Sequence, residues 1–119
     1  MREIIRDKNR LEHILESINY ILEFTNGINF EEFLKNKMLQ FAVVKNLEII
    51  GEASYKLTND FKNNYPEVKW GKIISISHFL VHGYYNTDEI IVWNTVKDLS
   101  FFKEQIQTLY NRELKKHGS

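Results

Sequence analysis

The chain has 119 residues and no cysteine, which excludes disulfide bonds, thiol catalysis and thiolate metal sites. Its 16 basic and 16 acidic residues cancel, so the bulk positive field that is usual in nucleic-acid-binding proteins is absent. The length suits a single domain over residues 1–119. No apolar run approaches the roughly 18 residues of a membrane span, and the charged N-terminus is unlike a secretory signal. We therefore expect a cytoplasmic protein that does not enter a membrane.

Apolar residues recur at helical spacing in the first half of the chain. The first helix is predicted to end at Asn26-Gly27, and a short helical turn is expected over residues 30–34. A second long helix is predicted over residues 37–61. Its first half is apolar almost all round, which is typical of a helix buried on several sides and favours contact with a second subunit. Gly51 and Ala53 are small enough to let another backbone come close.

The second half begins with the loop Asn63-Asn64-Tyr65-Pro66. Pro66 suits the first turn of a third helix, and Gly83 is expected to end it. Residues 86–89 have the pattern of a helix start with a capping box, and a last helix follows with a nearly heptad apolar stripe. The predicted fold is all-α: a homodimeric, up-and-down four-helix bundle with one short extra helix.

The stretch Ser77-His78-Phe79-Leu80-Val81-His82-Gly83-Tyr84-Tyr85 concentrates the side chains that can carry chemistry. His78 and His82 lie on one face if the segment is helical. Histidine has an unperturbed pKa near neutral pH and can act as a general acid or base, for example in cleavage of a phosphodiester whose nucleophile is the 2′-hydroxyl of RNA.

Three other interpretations stay open on the residues alone. The histidines could bind zinc if Asp88 or Glu89 supplied a third ligand, although neither has a recognisable spacing. Tyr84 could accept a transferred group, and Tyr84 and Tyr85 could stack on bases. The histidines and tyrosines could instead be partly buried residues at a helix end.

Lysines before the histidines could form a local basic groove, although solvated lysines on helix faces are the more common arrangement. Lys69 and Lys72 are the nearest of these in sequence to the histidine segment. Both are candidates for contacts with RNA.

Three blocks of the sequence resemble the DUF86 branch of the HEPN superfamily, the HepT-like toxins. The blocks are Leu47-Glu48-Ile49-Ile50-Gly51-Glu52-Ala53, the His82-Gly83-Tyr84-Tyr85 segment with Trp70 before it, and Ile91-Val92-Trp93. The resemblance implies a helical homodimer with a metal-independent endoribonuclease site in the cleft between protomers, and no cofactor. It also implies a partner, a minimal nucleotidyltransferase of the MNT type, which acts as antitoxin and neutralises the toxin by attaching AMP to the motif tyrosine.

The family signature is an arginine, four residues, a histidine, one residue and a tyrosine. His82 matches the histidine and Tyr84 the modified tyrosine, whereas Ser77 stands where the family has arginine. Serine cannot offer a positive charge or a bidentate fork to phosphate. A protonated His78 is the best-placed replacement, and we expect nuclease activity to be weakened or lost.

Overall fold

The computed structural model describes residues 2–82 and 89–116, and the side chains of residues 6–80 and 89–116. These parts of the chain contain helices and loops without a strand, which confirms the all-α prediction. The six helices are α1 (Arg2–Thr25), α2 (Phe30–Lys35), α3 (Lys37–Lys56), α4 (Asn59–Asn64), α5 (Trp70–His82) and α6 (Glu89–Lys116). None of the helices in these ranges is long and apolar enough to cross a membrane.

The long helices α1, α3, α5 and α6 form the bundle, and α1 lies between α3 and α6. Asp7, near the start of α1, contacts Thr58, just after the end of α3, so these two helices are antiparallel. Tyr110, in the last third of α6, donates a hydrogen bond to Glu12, near the middle of α1. The apolar faces of these helices meet in one continuous core that includes Phe33 from α2.

The predicted end of the first helix is confirmed. Gly27 adopts a φ of 74°, a left-handed conformation that side-chain-bearing residues rarely take. Asn29 then caps α2 in a capping box, because its side chain accepts from Glu32 N while the Glu32 carboxylate accepts from Asn29 N.

The prediction of one continuous helix over residues 37–61 is wrong, because the chain breaks after α3 and starts again as α4. Thr58 is the N-cap of α4, and its hydroxyl accepts from Phe61 N at 3.2 Å. The buried carboxylate of Asp7 accepts from both Thr58 N (2.8 Å) and Thr58 Oγ1 (2.7 Å). This contact across 51 residues of sequence stabilises the break. Residues 2–82 and 89–116 therefore contain two short extra helices, not the single one that was predicted.

The third long helix, α5, starts at Trp70 and not near Pro66 as predicted. The indole N–H of Trp70 donates to the Tyr65 carbonyl at 3.1 Å, and Val68 N donates to the same carbonyl at 3.2 Å. Residues 65–69 therefore close a turn of their own before the helix begins. The predicted caps at Gly83 and at residues 86–88 lie outside the described residues.

Helices α5 and α6 both belong to the bundle, but their described backbones lie apart. Helix α5 packs closely on α3, whereas the described backbones of α5 and α6 hardly approach each other. A groove of about 500 Å³ lies between them. Trp70 on α5 meets Phe102 on α6 edge-on, with ring centroids 6.4 Å apart.

Candidate active site

Helix α5 positions most of the predicted site residues. Its apolar side chains Trp70, Ile73 and Leu80 are buried in the core, which fixes the helix along α3. Lys72 and His78, on other faces of the same helix, are exposed. The sequence of α5 therefore separates a packing face from a face available for chemistry.

Ser77 lies on the packing face, at a close approach between α5 and α3. Its side chain is buried, and its hydroxyl donates to the Leu47 carbonyl at 3.1 Å, with the Glu48 carbonyl 3.4 Å away. A Cβ added to Gly51 would overlap the Ser77 side chain. At the position of the family arginine, this chain therefore has a small, buried serine in the close crossing of α3 and α5. This serine offers no positive charge to a substrate.

His78 is on the exposed side of α5, one residue beyond Ser77. His82 is the last residue of α5, one helical turn after His78 along the backbone. The side chain of His82, together with Tyr84 and Tyr85, lies outside the described residues. The structure therefore confirms that the histidine segment is helical up to His82, while the orientation of the His82 ring remains a prediction.

Lys69 and Lys72 are exposed, and both line the groove between α5 and α6. The same two lysines border a second depression, of about 560 Å³, at the start of α5. Lys62 also borders this depression, and partial burial lowers the pKa of its ammonium group, an effect that the Asp7 carboxylate opposes. The structure therefore shows that Lys62, Lys69 and Lys72, which are separated in the sequence, line one depression.

The groove between α5 and α6 contains a residue that the sequence reasoning missed. Phe101 is 66% exposed and lines the groove, next to Phe102, which is partly buried and packs against the core. Phe102 belongs to the nearly heptad apolar stripe of α6, whereas Phe101 lies outside that stripe. An aromatic residue off the buried stripe is the signal that could have identified it.

Among the described residues, no three His, Asp or Glu side chains lie close enough together to hold a metal ion. Asp88, one candidate for a third zinc ligand, is outside the described part of the chain.

Comparison with known proteins identifies relatives over most of the chain. The family model described as "Ribonuclease HepT-like" matches residues 14–109. A candidate RNase of Methanocaldococcus jannaschii is 42% identical over 98 residues, covering 82% of this chain and 90% of the relative. A probable ribonuclease HepT of Thermococcus cleftensis is 47% identical over 91 residues, or 76% and 83% of the two chains. A candidate RNase of Caldanaerobacter subterraneus is 35% identical over 104 residues, or 87% and 93%. No solved structure shows a significant match.

Proposed function

Since the chain belongs to the ribonuclease HepT-like family, we propose that it is a metal-independent endoribonuclease with His82 as its acid–base residue. The observation that carries this proposal is the family match over residues 14–109, which includes the whole of α5 and its histidine segment. We also propose a cytoplasmic location, because cellular RNA is the substrate of this proposed activity.

The chemistry needs few groups. A base removes the proton of a 2′-hydroxyl, the oxygen attacks the adjacent phosphorus, and the bond from phosphorus to the 5′-oxygen breaks. An acid then protonates the leaving oxygen, which gives a 2′,3′-cyclic phosphate and a 5′-hydroxyl end. His82 can perform either proton transfer, and positive charge near the phosphate stabilises the transition state.

We place this site in a cleft between two copies of the chain. A single chain leaves large apolar side chains on α3 in water: Met38 is 81% exposed and Phe41 is 55% exposed. Apolar exposure of this kind is typical of surfaces that bind other proteins. A homodimer would cover such a surface, and sedimentation of the purified protein measures whether one forms.

Tyr84 is the residue through which we propose that the ribonuclease activity is regulated. In a toxin–antitoxin pair, an MNT-type nucleotidyltransferase would attach AMP to the Tyr84 hydroxyl. The added phosphate is negative and bulky, and it would sit two residues from His82 where an RNA phosphate must bind, so inhibition follows from charge and space.

A second candidate function is a catalytically inactive partner that binds the nucleotidyltransferase or presents Tyr84 to it. The observation in its favour is Ser77, a buried residue at the position of the family arginine. Losing one stabiliser of transition-state charge costs about 3 kcal/mol, or at least a hundredfold in rate.

Cleavage of RNA by purified protein in EDTA tests the first function. Wild type is compared with His82→Ala and with His13→Ala, a matched control at an exposed histidine on α1. We expect only His82→Ala to abolish the formation of 2′,3′-cyclic phosphate ends. Equal cleavage by all three proteins would show that His82 is not the acid–base residue.

Intact mass after co-expression with an adjacent nucleotidyltransferase gene tests the regulatory proposal. Mass should rise in steps of one AMP unit for wild type and not for Tyr84→Phe. If wild type slowly cleaves RNA and also takes up AMP, it is a weakened toxin; if it takes up AMP without cleaving, the second candidate function holds.

A further inference from the structure

We propose that an unpaired stretch of RNA crosses the start of α5, with phosphates on Lys69 and Lys72 and one base in the groove against Phe101. The inference rests on the proposed ribonuclease function and adds a binding subsite to it, away from the histidine segment. It also assigns the substrate class, namely RNA that is single-stranded at this point.

The charge around the two lysines favours phosphate. Lys69 and Lys72 stand between two depressions and line both of them. The depression at the start of α5 is also lined by Lys62, Asn59 and Asn63, and no acidic side chain is among its described lining residues. Although the chain as a whole is neutral, this depression is locally cationic and offers amide donors as well.

The neighbouring groove has the chemistry that an unstacked base requires. Its walls are largely apolar, and Phe101 presents an exposed ring on which a base can stack. Asn94 and Gln105 belong to the same lining. The Gln105 Nε2 donates to the Glu67 carbonyl at 3.3 Å, so Gln105 would meet the polar edge of a base through its Oε1 as an acceptor. The groove's volume of about 500 Å³ is within the range of small-ligand sites, roughly 300–1,000 Å³.

The single acidic residue among the described groove-lining side chains is Asp98 on α6. Its carboxylate can accept from a base amino group and repels phosphate, which keeps the backbone of the strand on the lysine side. Asp98→Asn removes the repulsion and is expected to tighten binding of RNA.

One lysine of the subsite, Lys72, lies on the same helix as the proposed catalytic residue. Lys72 and His82 are ten positions apart on α5, which corresponds to about 15 Å along the helix axis. A strand a few nucleotides long can span both places. A paired duplex cannot present a base to Phe101, because its bases are stacked on one another.

Fluorescence anisotropy with 2′-O-methyl RNA tests the inference, because such RNA lacks the nucleophile and stays intact during the measurement. The probe is a labelled single strand of about 12 nucleotides, within the site sizes of single-strand-binding folds. A duplex of the same sequence serves as the second probe. The variants are Phe101→Ala and the double variant Lys69→Gln/Lys72→Gln. Matched controls are Phe24→Ala, at another partly exposed aromatic, and Lys97→Gln, at an exposed lysine of α6.

We expect Phe101→Ala to weaken single-strand binding about 5- to 100-fold and to leave duplex binding unchanged. The double lysine variant should lower the slope of log affinity against log salt by about 1.4 for the single strand. Unchanged single-strand affinity in both variants, with cleavage still dependent on His82, would overturn the subsite and leave the proposed function standing. A wild type that neither binds nor cleaves RNA would overturn both. A change in oligomeric state of Phe101→Ala, seen by sedimentation, would show that a second copy fills the groove and would also overturn the subsite.

Discussion

The close crossing of α3 and α5 makes Gly51→Ala an informative perturbation. A Cβ at position 51 would overlap the Cβ and Oγ of Ser77, and the Ile73 carbonyl is 3.6 Å away. The Ser77 Cβ is attached directly to the backbone, so it can move only if α5 moves, whereas Oγ can also change rotamer. Because α5 carries the histidine segment, the substitution perturbs the site as well as the packing.

The magnitude follows from three effects. Overpacking a close contact costs about 1–3 kcal/mol, and displacing Ser77 from the Leu47 carbonyl removes a hydrogen bond worth about 1 kcal/mol. Alanine gains up to about 1 kcal/mol over glycine inside a helix. We therefore expect Gly51→Ala to lower the free energy of unfolding by about 1–3 kcal/mol.

Urea unfolding followed by circular dichroism measures this change. Gly71→Ala is the matched control, because a Cβ there meets nothing within 4 Å, and its stability should stay the same or rise by up to about 1 kcal/mol. Adding Ser77→Gly to Gly51→Ala should restore part of the loss, since it removes the overlapping atoms. If Gly51→Ala behaves like Gly71→Ala, or if Ser77→Gly gives no rescue, the close crossing is not as described.

Three further outcomes are expected. Asp7→Ala should cost about 2–3 kcal/mol in urea unfolding, because Thr58 loses its acceptor in a partly buried place; an unchanged midpoint would contradict this. The hydrogen bond to Glu12 raises the pKa of the Tyr110 phenol, so its stabilisation is complete below the usual tyrosine pKa and is lost as pH rises through the raised value. Tyr110→Phe should therefore lower the unfolding midpoint at pH 7 more than in alkali, and the reverse order would refute the sign. Ser77→Arg should lower the free energy of unfolding by about 3 kcal/mol or more, since the position is buried. A stable variant with faster RNA cleavage would contradict this and show that an arginine side chain at position 77 can reach the substrate.

The helical fold could be predicted from the sequence because apolar spacing and caps are local signals. The end of α1 at Gly27 and the apolar stripe of α6 could both be predicted without knowledge of the rest of the chain. The break at Thr58 carries one local signal, the capping threonine, but the carboxylate that stabilises it belongs to Asp7 on another helix and could not be identified from local pattern. Local pattern specifies helices, whereas contacts distant in sequence decide where two of them separate.

The candidate site was predictable in its residue types and only partly in its arrangement. The sequence identified Lys69 and Lys72 but could not show that α6 adds Phe101 to the groove beside them. It also identified Ser77 as the departure from the family arginine, without showing that the serine is buried against Gly51. Both features depend on how helices pack, which a periodic pattern does not specify.

The central claim is tested most directly by incubating wild type and His82→Ala, in EDTA, with one RNA and with its fully 2′-O-methylated counterpart. We expect wild type alone to cut the RNA, leaving cyclic phosphate ends, and neither protein to cut the methylated strand. Cutting of the methylated strand, or equal cutting of RNA by His82→Ala, would contradict a mechanism in which an imidazole on α5 moves the proton of a 2′-hydroxyl.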